Sequence, residues 1–192
     1  MKIETRRFLL RDFEAEDWPA FEAYHADPRS AEFYGEAQSH PDHARELFEL
    51  FSRWAGEEPR CNYQLAIVRR DAGQTLIGCC GLRRDEPASP ATELGIELAP
   101  DYWGRYRYAV EVMVALAEFG FTGLELREIY GGTVSANSRI ARLAESLGAR
   151  AVVRPAPEWM AARGWQQVEW QIGREQWRER LTSGDMSASG SR

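Results

Sequence analysis

The chain has 192 residues, 44% of them apolar, with 30 acidic against 24 basic side chains and a formal net charge of −6. That length supports one hydrophobic core, and the acidic balance argues against broad nucleic-acid binding; it reads first as serving solubility alone and second as favouring a cationic substrate or partner. No run of about 18 apolar residues could cross a membrane, and the opening MKIETRRFLL lacks the apolar run and cleavage site of a secretory signal, so no membrane partner is expected.

Residues 7–13 (RFLLRDF) read as a first strand. Asp17 is placed to cap a helix running to about Ala26, with Trp18 and Phe21 facing inward and Pro19 tolerated near its start. His25 sits at the end of that helix, where a cation suits the dipole. Residues 28–40 read as loop. Ser39 and Pro41 open a second helix to about Gly56, with Leu47, Leu50, Phe51 and Trp54 spaced for one buried face. His40 and His43 lack the further partners that a metal site needs, so no metal is expected. Residues 62–69 and 75–84 read as a hairpin around the turn Asp71–Gln74. Gly78 and Gly81 within its second arm indicate a bulge or a close approach by another segment. Cys79 and Cys80 read as small buried hydrophobes rather than nucleophiles. With Cys61 they make three cysteines and no disulfide framework, so a reducing cytoplasm is the expected compartment.

The most informative stretch is residues 92–120 (TELGIELAPDYWGRYRYAVEVMVALAEFG). ELGIEL alternates acid and apolar, so Glu93, Gly95 and Glu97 share one strand face and Leu94, Ile96 and Leu98 the other. Pro100 breaks the strand, Gly104 lies in a turn rich in Arg and Tyr, and an apolar helix begins near Tyr108. A strand that enters a helix N-terminus through a short loop can hold an anion, because the first N–H groups have no internal partner and the dipole adds about half a positive charge. Arg105 and Arg107 add full charges. The stretch is therefore a cradle for a phosphate or pyrophosphate, or else a plain strand–turn–helix with solvated arginines.

Residues 128–134 (EIYGGTV) form another strand, and a helix follows from Asn137 to a stop at Gly148, with Ile140, Leu143, Ala144 and Leu147 on one face. Residues 149–154 and 165–172 read as two last strands joined by a loop through Pro155, Pro157 and Gly164. The order β, α, α, β, β, β, α, β, α, β, β indicates an α+β or mixed α/β domain over residues 1–181, with 182–192 a polar tail expected to be disordered.

That order, together with ELGIELAPDYWGR and with Asn137, Glu145, Leu147 and Gly148, resembles the GNAT superfamily of acyl-CoA-dependent N-acyltransferases. Within it the chain is most similar to the branch that includes ribosomal-protein alanine N-acetyltransferases, over about residues 3–178. The resemblance implies a central, mostly antiparallel, splayed sheet flanked by helices. It implies acetyl-CoA as cosubstrate, its pantetheine arm in the gap beside Leu98 and its pyrophosphate on the turn made by Trp103, Gly104, Arg105, Tyr106, Arg107, Tyr108 and Ala109. Asn137 is expected to approach the pantetheine arm from the other side. Two positions depart from the family pattern. Tyr106 stands where a glycine is expected, with one residue inserted before Ala109, and Ile140 replaces a frequent serine.

The implied reaction is direct attack of a primary amine, on a small molecule or a protein N-terminus, on the acetyl thioester. The amine must first lose a proton, which makes Glu97, and second Glu93, candidate general bases; both could equally be polar residues of a strand face. With Ile140 unable to protonate the thiolate, Tyr130, Ser135 and Ser138 are the nearby hydroxyls. Tyr24, Phe33, Tyr34, Trp159 and Met160 fall on segments expected to wall the acceptor pocket, and they read at least equally as core or as a dimer seam. The alternative left open is a catalytically degenerate module of this fold that binds acyl-CoA or a protein partner without turnover. A homodimer is compatible with either reading.

Overall fold

In the computed structural model, residues 1–35, 38, 40–71, 73–105 and 107–182 are described. Eight strands form one sheet: β1 (Lys2–Glu4), β2 (Phe8–Arg11), β3 (Tyr63–Arg69), β4 (Leu76–Arg83), β5 (Ala91–Leu98), β6 (Glu128–Val134), β7 (Arg150–Arg154) and β8 (Gln167–Gly173). The spatial order is β1-β2-β3-β4-β5-β6-β8-β7, and every neighbouring pair is antiparallel except β5 and β6, which are parallel. The helices are α1 (Trp18–His25), α2 (His43–Ala55), α3 (Tyr108–Glu118), α4 (Ser138–Ser146), the single turn α5 (Glu158–Ala161) and α6 (Arg174–Thr182). This is the mixed α/β, mostly antiparallel architecture expected.

The middle of the sheet is covered on both faces, and its sequence shows why. β3 and β4 are near-continuous apolar runs, with Leu65, Ala66, Ile67, Ile77, Cys80 and Leu82 completely buried. On one face α1 and α2 close a core of Phe13, Phe21, Tyr24, Phe51, Val68 and Cys79. On the other, α3 contributes Val112, Leu116 and Ala117 to the larger core. Each fully buried Leu, Val or Phe contributes about 1.5–3 kcal/mol. Glu118 is the one exposed residue of α3, as expected for so apolar a helix.

Several boundaries differ from the sequence reading for local reasons. Asp17 precedes α1 but does not cap it. Its carboxylate instead takes both guanidinium nitrogens of Arg11, at 2.7 and 2.9 Å, and the Glu14 N–H at 2.8 Å. α2 starts at His43, two residues after Pro41, and Ser39 lies outside the described residues. β5 begins at Ala91 because Thr92, fully buried, donates its hydroxyl to Arg83 O at 2.9 Å. Residues 174–182 form a helix, anchored by the buried Trp177, whose indole donates to Glu118 at 3.1 Å. Residues 183–192, most of the expected tail, lie outside the described residues.

Gly78 meets both expectations for a strand glycine. The β3–β4 register shifts next to it, its φ is +154°, and a Cβ there would come 2.1 Å from Glu97 O. No side chain fits, so β4 and β5 can approach closely behind Glu97.

Candidate functional site

Pairing between β5 and β6 stops early. The ladder runs Ala91↔Glu128, Thr92↔Ile129 and Glu93↔Tyr130 and goes no further, although both strands continue. Gly131 marks the fork, with space for a Cβ only 2.8 Å from Leu94 O. Ala99 donates its N–H to Ile77 O on β4 at 2.8 Å. By strand alternation the N–H groups of Ile96 and Leu98 then point the other way, into the fork. The Leu98 carbonyl is taken by the Trp103 indole at 2.6 Å, which folds the following turn back on the strand end. A cavity of about 1000 Å³ occupies the fork and reaches both faces of the sheet.

The turn after β5 leads into α3 as the sequence predicts. Gly104 has φ +66° and open space around it. Arg107, directly before the helix, adopts φ 56°, ψ 35°. A non-glycine residue pays about 1–2 kcal/mol for that left-handed conformation. The left-handed position, followed by an aromatic and a small residue, thus falls on Arg107. Tyr106 lies outside the described residues. Tyr108 N–H donates to Arg105 O at 3.0 Å and Glu111 N–H to Arg107 O at 3.1 Å. The N–H groups of Ala109 and Val110 remain at the positive end of α3, beside two exposed guanidinium groups. The Tyr108 ring is buried against Phe8 and under the Arg7 guanidinium, so it supports the turn from below.

Asn137 caps α4, its side-chain oxygen accepting the Ile140 N–H at 3.2 Å. Arg139 reaches across the cavity. Its guanidinium lies 4.1 Å from the Trp103 ring and bonds Glu32 at 2.6 Å, tying α4 to the loop after α1. Every described residue expected to bind cofactor or act as base lines this same cavity.

The two carboxylates of β5 have different surroundings. Glu93 receives Arg83 Nε at 3.3 Å and sits beside the fork's closed end. Glu97 lies farther along, its side chain 38% exposed. The Tyr34 hydroxyl donates to its Oε1, while its Oε2 lies 3.8 Å from Cys79 Sγ and 3.6 Å from His25 Nε2. Burial, then the Glu97 charge, pushes the Cys79 thiol up to about 12. The same two causes raise Tyr34, and burial with the Cys79 and Glu97 charges raises Tyr24. All three are neutral donors at pH 7, grouped around one carboxylate.

On that face the cavity is walled by Leu47, Phe51 and Trp54 of α2 and by Phe33 and Trp159. Arg163 donates to Tyr34 O at 3.1 Å, holding the loop that carries Tyr34. Sequence reasoning named Glu97 and Tyr34 as separate candidates and gave no sign that Tyr34, Cys79 and His25 converge on Glu97. Of the hydroxyls near Ile140, Ser135 accepts the Gln166 N–H at 3.0 Å, and Tyr130 borders the cavity beside Glu93.

Comparison with known proteins agrees with this geometry. The family described as "Acetyltransferase (GNAT) domain" matches residues 7–150. An uncharacterized N-acetyltransferase, p20, of Bacillus licheniformis is 25% identical over 146 residues, 76% of this chain and 80% of that protein. Among solved structures, a GNAT-family acetyltransferase from Bacillus anthracis superposes with a TM-score of 0.73 at 22% identity, covering 91% of this chain and 99% of that one. A variant of the spermidine N-acetyltransferase SpeG from Vibrio cholerae superposes with a TM-score of 0.68 at 21% identity, covering 90% and 98%. With the forked sheet, the left-handed turn before α3 and a family match over three quarters of its length, the chain belongs to the GNAT family of acetyltransferases.

Proposed function

We propose that the protein transfers the acetyl group of acetyl-CoA to a primary amine by direct attack, with Glu97 as general base. The observation that carries this reading is the position of Glu97. It sits at the rim of the fork, between a groove suited to an extended thioester and a pocket with aromatic walls.

The parts of the cavity fit the two substrates. The N–H groups of Ile96 and Leu98 suit the amide-bearing arm of CoA, as a further strand would. The N–H groups of Ala109 and Val110, with Arg105 and Arg107, suit its pyrophosphate. A backbone N–H near Leu98 is placed to polarise the thioester carbonyl. Trp103 contributes by shape, since its indole N–H is already bonded to Leu98 O, whereas Asn137, its side-chain oxygen on the Ile140 N–H, still has its amide N–H₂ to donate to the arm. The acceptor enters from the α1–α2 face as an ammonium and loses a proton to Glu97. Its nitrogen then attacks the carbonyl carbon, and the carbon–sulfur bond breaks. Cys79 and Cys80 are buried thiols held protonated by desolvation, which supports transfer without an acyl-cysteine.

The reading includes a cytoplasmic enzyme and leaves its acceptor between a small molecule and a protein N-terminus. No described helix is long and apolar enough to cross a membrane. Calorimetric titration of acetyl-CoA is expected to give micromolar affinity, about −8 kcal/mol. An acceptor panel of spermidine, an arylalkylamine and a peptide with N-terminal alanine then identifies the amine. Glu97→Gln is expected to lower kcat by about 10²–10⁴-fold with acetyl-CoA affinity unchanged. Absence of binding at millimolar acetyl-CoA would overturn the reading and favour the module without turnover.

A further inference from the structure

Behind Glu97 lies a buried imidazole that direct attack, as described, does not use. The His25 side chain is 5% exposed, packed on Phe21 and Tyr24 with ring centroids 4.1 and 4.3 Å apart. Its Nδ1 is 3.0 Å from Phe21 O. A carbonyl only accepts, so in the neutral ring Nδ1 carries the proton and donates it. Nε2 is then a bare lone pair. It is buried without a hydrogen-bond partner and lies 3.6 Å from Glu97 Oε2. Two acceptors face each other, the imidazole nitrogen buried and the carboxylate partly open to the cavity, and a single proton between them would join them.

We infer that His25 and Glu97 act as one proton-accepting pair, in which the proton taken from the acceptor ammonium is held between Glu97 Oε2 and His25 Nε2. The inference rests on Glu97 being the base. The ammonium N–H bond breaks and an O–H bond forms on Glu97, directed at Nε2. The second amine proton, released as the carbon–nitrogen bond forms, balances the one that the leaving thiolate takes up. The stored proton returns to solvent through Glu97, since His25 itself has no exposed path. The gain is in matching. A reference carboxylic acid ionises near 4.3 and a lysine ammonium near 10.4, and a hydrogen bond from the protonated Glu97 carboxyl to Nε2 favours the neutral acid and narrows that gap.

The surroundings fit a pair controlled by one charge. Facing His25 are Glu97 from β5, His43 from α2 and Tyr24 of its own helix, while Cys79 from β4 and Tyr34 from the loop after α1 meet the same Glu97 carboxylate. Cys79, Tyr24 and Tyr34 are held neutral. Burial lowers the His25 pKa, and the Glu97 carboxylate acts against that. The two sites titrate together rather than separately.

The test is ¹⁵N NMR of the imidazoles in the full chain, with His25 assigned by the His25→Gln spectrum. At neutral pH the expected tautomer has the proton on Nδ1. In Glu97→Gln, where the favourable charge is gone, the His25 protonation midpoint is expected to fall by about one unit. His25→Gln can still direct an amide N–H at Glu97 but cannot take up a proton. With the panel amine that turns over fastest, its kcat is expected to fall by about ten- to a hundredfold, with KM for acetyl-CoA within about twofold of wild type and the acid limb of the pH profile displaced. A proton on Nε2, a midpoint indifferent to Glu97→Gln, or a His25→Gln enzyme with wild-type kcat and pH profile would each overturn the pair. Full turnover by Glu97→Gln would instead overturn the base itself. If His25→Gln does not fold, the midpoint comparison between wild type and Glu97→Gln decides.

Discussion

Cys79 touches the same Glu97 oxygen that faces His25, and it is the residue most easily mistaken for a nucleophile. Its Sγ accepts the Tyr24 hydroxyl at 3.6 Å and lies 3.8 Å from Glu97 Oε2. Burial and the neighbouring carboxylate hold it protonated up to a pH of about 12, so it has no thiolate to offer in the working range. Cys79→Ala is therefore expected to retain turnover within about tenfold, with no change in the pH profile below 9, because no bond to sulfur forms. A stopped enzyme, or a trapped acyl-enzyme by mass spectrometry, would show the opposite. Glu97 was legible in the sequence because an acid–apolar alternation fixes which face it occupies, whatever that face meets. The approach of His25 and Tyr34 to it was not, because it comes from contacts with β5 that no local spacing encodes. His25 lies at a helix end, where a dipole argument was sufficient on its own.

The element that makes the site is the interrupted β5–β6 ladder, and its control point is Gly131. A Cβ there would press on Leu94 O at 2.8 Å, whereas one at Gly132 would find its nearest neighbour at 4.0 Å. Gly131→Ala is expected to cost about 1–3 kcal/mol and to weaken acetyl-CoA binding, since β6 must shift where the fork begins. Gly132→Ala should leave both the melting temperature and the calorimetric affinity close to wild type. Equal effects from the two would remove Gly131 from its role. The helices and central strands were readable for a common reason, that one period persists long enough to mark a face. The stripe of Leu47, Phe51 and Trp54 in α2 and the apolar runs of β3 and β4 are examples. β1 and α6 lacked that signal. β1 is three residues with charge at both ends, and α6 buries one side chain, Trp177. Both form because the sheet edge and the Glu118 carboxylate were already in place, which is a tertiary cause. The splay itself came from family resemblance and not from any pattern within β5 or β6.

At the scale of the molecule, two carboxylates tie the N-terminal strands to the rest of the protein. Glu111 of α3 accepts the Thr5 hydroxyl at 2.7 Å, the Arg7 N–H at 2.8 Å and Arg7 Nε at 2.6 Å, fastening the β1–β2 turn to the helix proposed to carry the anion site. Asp12 accepts Arg60 at 2.7 Å and the terminal ammonium of Met1. For both, burial acts to raise the pKa, but these bonds outweigh it and leave the value lowered. A carboxylate depressed in the folded state stabilises it fully above its unfolded pKa, near 4, and loses that contribution as pH falls through the folded value. The melting temperature should thus be flat from pH 7 to about 5.5 and fall progressively below about 4.5. Glu111→Gln keeps the shape of the side chain but presents an amide N–H₂ where an oxygen accepted. It is expected to cost about 1–3 kcal/mol at pH 7, by leaving the Arg7 or Thr5 donors without a full partner. Because the variant lacks one titrating group, its deficit relative to wild type should shrink as pH approaches 3. Thermal melts of both proteins across that range decide the matter. A constant difference at every pH would mean that Glu111 acts through packing alone, and that the N-terminal strands are held on α3 by their apolar contacts rather than by this carboxylate.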